Sequence, residues 1–198
     1  MRIKLDKGEL ARQREQLRLL ERLLPSLDLK RRQLTVQREL ERTRLAALER
    51  EREQLRARVA AELPMLADAR IDLAGLVRVS AVELHEENVA AVRLPTLGPL
   101  HFATHPYTPL GRPFWVDVTV ERLREACRVE LELDVARERI RRVELAMRRV
   151  TQRVNLFERV MIPRTKQSIA RIRLHLGETE RAAVVRAKLS KQRRELAP

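Results

Sequence analysis

VELELDVARERIRRVELAMRRVTQRVNLFERVM, residues 129–161, decides the fold. Read in sevens, Val129, Ala136, Val143, Val150 and Phe157 share one position, and Leu133, Ile140, Met147, Val154 and Met161 stand four residues after each. Ten successive core positions are apolar while Arg and Glu fill most of the rest, the pattern of a helix that buries one stripe against another helix. No Gly or Pro interrupts the run, and Ala, Leu, Arg and Glu are good helix formers.

The same repeat returns in the N-terminal flank. Leu10, Leu17, Leu24, Leu45, Val59 and Leu66 share one position, and Leu20, Leu27, Leu34, Leu48 and Leu55 the other, with Arg31, Arg38, Glu41 and Arg52 as interruptions. Neither flank can bury its stripe alone, so the pattern predicts that they fold back on each other as a long antiparallel two-helix coiled coil. At about 1.5 Å per residue, roughly 60 helical residues make a rod of about 90 Å. Pro25 and Pro163 lie inside the apolar patterns, where each removes a backbone hydrogen bond. Kinks or short breaks are expected there rather than helix ends, because the pattern resumes on both sides.

Between the flanks the composition changes. All nine prolines but Pro25, Pro163 and Pro198, and three of the five glycines, fall between residues 64 and 113, and four of the five aromatics are Phe102, Tyr107, Phe114 and Trp115. Val77, Val79, Val82, Leu84, Val89, Val92 and Leu94 form short β-prone runs broken by Glu86-Glu87-Asn88. The expectation is a mainly α fold with a small mixed α/β, hairpin-like insert: helix over 1–66, short strands and a Pro-rich loop over 67–117, and helix with a basic tail over 118–198. The net charge of +14 sits on the flanks, since residues 60–121 carry four basic and eight acidic side chains.

Little in the chain points to catalysis. There is no Gly-x-x-x-x-Gly-Lys loop for phosphate, no Gly-x-Ser-x-Gly and no His-Glu-x-x-His. His101 and His105 have a spacing that suits a metal on a helix, but Pro106 makes the stretch a loop, and Cys127 is the only thiol. The single cysteine excludes an intrachain disulfide framework and fits a reducing compartment. Glu86-Glu87 next to Asn88 reads as a solvated turn. No catalytic, cofactor or metal site is assigned, and the chain reads as a non-enzyme. The longest uncharged stretch, residues 94–111, holds four prolines, which argues against membrane insertion, and the opening Met1-Arg-Ile-Lys has no apolar region of a secretory signal. From Arg159 to Gly177 there are five basic residues and no acid. Nucleic acid is nonetheless not expected as a partner, because acidic residues are interleaved along the flanks and no aromatics stand among the arginines to stack bases.

The run Thr151-Gln-Arg153-Val154-Asn155-Leu-Phe-Glu158-Arg-Val-Met-Ile162-Pro163 resembles the C-terminal signature of the D subunits of the V/A-type rotary ATPases. Arg153, Val154, Asn155, Glu158, Ile162 and Pro163 occupy the signature positions, with Leu156-Phe157 where that family usually has Ala-Leu. Glu87-Asn88-Val89 with Val92-x-x-Pro95, and Pro106-Tyr107-Thr108, resemble its insert. Near Pro25, where the family has Gly and then Leu-Leu-Lys-x-Lys-Arg, only Leu29-Lys30-x-Arg32 follows. The resemblance implies a central-stalk rotor shaft without catalytic activity of its own. It would stand inside the ring of catalytic A and B subunits and carry torque to the membrane ring. Implied partners are the F subunit of the rotor, the A and B subunits and the socket subunit of the membrane rotor, in a cytoplasmic, membrane-peripheral position. Arg159, Arg164, Lys166, Arg171 and Arg173 are then the residues expected to face the catalytic ring. The alternatives from other classes are a coiled-coil adaptor and, less favoured, a basic helical nucleic-acid binder.

Overall fold

The computed structural model describes residues 4–67, 76–104 and 115–195. Helix α1 (Lys7–Glu62) is followed by a 3-10 turn (Pro64–Ala67), strands β1 (Val77–Val89) and β2 (Val92–Thr104), helix α2 (Trp115–Leu156), a π-helical turn (Phe157–Met161) and helix α3 (Ile162–Glu195). Among the described residues the fold is mainly helical, with a two-stranded antiparallel sheet in the middle. Asp6 starts α1 by accepting the Glu9 amide at 2.7 Å, which satisfies one of the first-turn donors. Pro64 follows the end of α1, and α2 begins at Trp115, three residues ahead of the expected Val118. Pro106, Tyr107 and Phe114 of the expected Pro-rich loop lie outside the described residues.

The chain divides into two compact units, Arg32–Arg148 and, formed by both ends, Met1–Arg31 with Arg149–Pro198. In the first, α1 and α2 run antiparallel: Arg58 pairs with Glu125 at 3.2 Å and Arg42 with Glu144 at 3.0 Å. Between them Leu48, Leu55, Val129, Leu133 and Ala136 form one buried cluster. Leu34 and Val143 are fully buried, while Leu45, Ile140 and Met147 are half-buried. Each fully buried aliphatic side chain of this kind contributes about 1.5–3 kcal/mol. A second cluster, Leu63, Leu76, Trp115, Val116 and Val120, ties the end of α1, the start of α2 and the base of the hairpin together.

The hairpin pairs from Val77 opposite Thr104 to Val89 opposite Val92, with register shifts between Val79 and Ala81 and between Val82 and Leu84. Two features differ from the expectation. Glu86-Glu87-Asn88 does not break the strand: all three lie in β1, and the chain reverses at Ala90 and Ala91, both left-handed with φ of 50° and 58°. Left-handed φ at both central residues is what a two-residue hairpin turn needs to match strand twist. The prolines expected to open a loop lie within β2, which runs through Pro95 and Pro99. A two-stranded sheet leaves one edge of each strand unpaired, so a proline there removes no ladder bond.

In the terminal unit, α1 again runs antiparallel to the C-terminal helices, with Lys166 3.1 Å from Glu21 and Lys7 3.6 Å from Glu180. Leu20, Val150, Val154, Ile169 and Ile172 are buried, and Leu17, Leu24, Leu27, Phe157 and Met161 are half-buried. Helix α1 continues through Pro25 without a break. At Pro163 the disturbance takes a specific form. Ile162 donates its amide to the carbonyl of Phe157, five residues back, so the turn 157–161 holds one residue more than an α-turn. The consequence is a shift of phase. An unbroken repeat would carry Arg164, Ser168, Arg171 and His175 into the seam. Instead Thr165, Ile169 and Ile172 are buried and Leu176 is half-buried, each one residue later, with Ser168 buried beside them. The inserted residue turns the arginines outward and the isoleucines inward. Thr165 and Ser168 satisfy their hydroxyls on the carbonyls of Met161 and Arg164.

Candidate functional site: paired helices with a docked hairpin

Among the described residues the most heavily connected side chain is Arg139 of α2, only 4% exposed. Its Nε and one terminal nitrogen donate to the two carboxylate oxygens of Glu41 on α1, at 2.8 and 2.6 Å. The same nitrogen also reaches Glu87 of β1, and the other donates to the carbonyl of Pro95 in β2 at 3.0 Å. One guanidinium therefore joins α1, α2 and both strands. Glu41 is equally buried and also accepts from the Gln37 side-chain amide at 2.7 Å. Burial alone would raise its pKa, but the Arg139 hydrogen bonds and charge, the Gln37 amide and the nearby Arg44 outweigh that and hold it below the usual carboxylate range.

One turn further along α2, Arg142 reaches the carbonyl of Arg93 at 3.0 Å and the Glu86 carboxylate at 3.3 Å. Arg141 and Arg142 both bond Glu138, whose pKa falls to about 2 under their hydrogen bonds. Glu86 and Glu87, expected as a solvated turn, are thus the hairpin's ionic contacts with α2. Towards its base the hairpin leaves a groove of about 550 Å³ against Arg124, Glu125, Arg128 and Glu132 of α2. The hub was obscured in the sequence because Arg139 lies outside the apolar register. Its one visible sign is Glu41, a carboxylate at a position otherwise held by leucines.

In the terminal unit Arg159, Arg164, Lys166, Arg171 and Arg173 are all exposed. Lys166 pairs with Glu21, and no ion pair is made by the four arginines among the described residues. The signature residues surround the π-turn: Val154 is fully buried, Asn155 and Ile162 are half-buried, and Arg153, Glu158 and Pro163 are exposed. His101 lies 3.8 Å from Glu83 across the hairpin, whereas His105 lies outside the described residues. Among the described residues no three His, Cys, Asp or Glu side chains gather as a metal site, and no helix is long and apolar enough to cross a membrane.

A family model that describes the D subunit of ATP synthase matches residues 9–192, which includes both helical flanks, the π-turn and the hairpin. The D subunit of the V-type ATP synthase of Borreliella burgdorferi is 30% identical over 190 residues, covering 96% of this chain and 94% of that protein. Its counterparts in Chlamydia felis and Chlamydia muridarum are 33% and 31% identical, each over 96% of this chain and over 93% and 95% of their own lengths. With the match running almost end to end, through the same elements that the geometry describes, the chain belongs to the D-subunit family of ATP synthases.

Proposed function

We propose that this chain is the central rotor shaft of a V-type rotary ATP synthase, a non-catalytic subunit that carries torque between the catalytic A/B ring and the membrane ion-translocating ring. Membership of the D-subunit family over nearly the whole chain is the observation that carries this reading. The physical chemistry supports it. Two helices sharing a buried seam resist twisting better than one. A shaft that meets three successive sites must also slip between them, which favours long hydrated Arg and Lys over deep apolar anchors. Arg159, Arg164, Lys166, Arg171 and Arg173 are exposed as such a bearing surface requires. A shaft with unequal faces gives each site of a threefold ring a different preferred nucleotide state, and rotation permutes them. The partners are the F subunit of the rotor, the A and B subunits and the socket of the membrane rotor, in a cytoplasmic and membrane-peripheral position.

The test is a truncation after Gly177 in the reconstituted complex. The seam from Val129 to Met161 remains, so the protein should fold and still bind the F subunit. Hydrolysis should continue while ion pumping per ATP falls, because the end of the lever is gone. An unchanged pumping-to-hydrolysis ratio would remove the C-terminal segment from torque transfer.

A further inference from the structure

We propose that the β-hairpin is a hinged arm, fastened firmly by the apolar cluster at its base and reversibly by Arg139 and Arg142 at its outer half. The distribution of burial carries this inference. At the base, Leu76 is buried with Trp115 and Val116, and Val77 packs against them. Beyond Val77 every described residue of β1 is exposed or half-buried, and in β2 only Leu94 and Pro95 are buried. These two lie where Arg139 takes the Pro95 carbonyl and the Glu87 carboxylate, with Arg142 on the Arg93 carbonyl and Glu86. Between base and latch the hairpin faces an open groove rather than a packed core.

The latch is built to open without wrecking the shaft. Arg139 keeps both oxygens of Glu41 whether or not the hairpin is present, so release does not strand a buried charge. On the hairpin side, Glu86 and Glu87 are about half exposed, so water replaces the arginines as they leave and salt weakens the attraction. At the latch only Leu94 and Pro95 are buried to oppose release through lost apolar burial. The cross-strand bonds from Val77 to Val89 are internal to the arm, so it swings as a unit.

The experiment places spin labels at Ala91→Cys on the hairpin tip and Ala47→Cys on the outer surface of α1, in the full chain with Cys127→Ser. Distances are measured by pulsed electron resonance at low and high salt, with amide hydrogen exchange in parallel. Arg139→Met is a poor probe because it leaves Glu41 buried and unpaired; the Glu86→Gln, Glu87→Gln pair leaves Arg139–Glu41 intact. The latched chain at low salt should give one narrow distance. The double carboxamide variant, and the parent at high salt, should gain a second population at longer distance while the hairpin amides stay protected. An unchanged narrow distribution would overturn the hinge. So would loss of hairpin amide protection, which would mean local unfolding instead of rigid release.

Discussion

Burying a guanidinium is unfavourable unless its N–H groups find acceptors, and removing one acceptor of a buried pair costs far more than the pair contributes. Arg139 meets that condition through Glu41, Glu87 and Pro95. Glu41→Leu should therefore destabilise the central unit by about 3–5 kcal/mol, although it restores the apolar repeat. Adding Arg139→Leu should recover much of the loss, and a double-mutant cycle by denaturant unfolding measures the coupling. Acid reports on the same chemistry. Glu41 and Glu138 have depressed folded-state pKa values, Glu138 from 4.5 to about 2. Their contribution is complete above the unfolded value of 4.5 and is lost as pH falls through the folded values. Melting temperature should hold steady above that pH and drop below it, with a shallower drop in Glu41→Gln. The hairpin turn shows why some residues were hard to read in the sequence. Asn-Gly is the usual signal for left-handed turn residues, and Ala90-Ala91 lacks it, so Asn88 drew the turn to the wrong place. Left-handed alanine costs about 1–2 kcal/mol per residue, so Ala90→Asn with Ala91→Gly should stabilise the hairpin by about 1 kcal/mol. Hydrogen exchange at the Val89 and Val92 amides checks it.

At the level of elements, helices were legible because a seven-residue period repeated over several turns survives single interruptions. Strands were less so. β1 is exposed along most of its length, so it has no alternation of buried and exposed positions to display, and Pro95 and Pro99 disguise β2. The π-turn falls between these cases. Ile162, Ile169, Ile172 and Leu176 stand one place later than the preceding period demands, so the slip is present in the sequence. What the sequence does not show is where the extra residue goes. Pro163 supplies the physical reason for its place: it has no amide to donate to the carbonyl four residues back, so the ladder is already broken there. The π-turn already absorbs one extra residue, so inserting an alanine after Val160 should rotate all that follows by about 100°. Arg164 and Arg171 would then face the seam and Ile169 and Ile172 the solvent. Burying unpaired charge is destabilising by several kcal/mol, so amide protection over 165–176 should collapse while that around Leu133 persists. Retained protection over 165–176 would mean that the π-turn does not set the phase.

For the molecule as a whole, the net charge of +14 is carried on the exposed faces of helices whose seams are mostly apolar. Apart from the buried Arg139–Glu41 pair, charge and stability therefore largely occupy different faces. That separation makes the proposed bearing role testable apart from folding. Each exposed cation contributes little by itself, since screened surface pairs are worth about 0–1 kcal/mol. Single alanine substitutions at Arg159, Arg164, Arg171 or Arg173 should therefore leave both melting temperature and rotary turnover close to wild type. Lys166→Ala loses only its pair with half-exposed Glu21. Their sum is another matter, because a field adds where contacts do not. Replacing all five with alanine lowers the net charge to +9 and removes the basic run while sparing Ile169 and Ile172. Alanine is also the best helix former, so the helix itself should not suffer. Association of the shaft with an assembled A/B ring should become slower and much less sensitive to salt, because electrostatic steering governs on-rates and is screened beyond about 8 Å at physiological ionic strength. Stopped-flow association across a salt series measures both quantities. If the five-fold variant binds with the parent's rate and the parent's salt slope, the exposed cations do not face the ring, and the proposed bearing surface is not theirs.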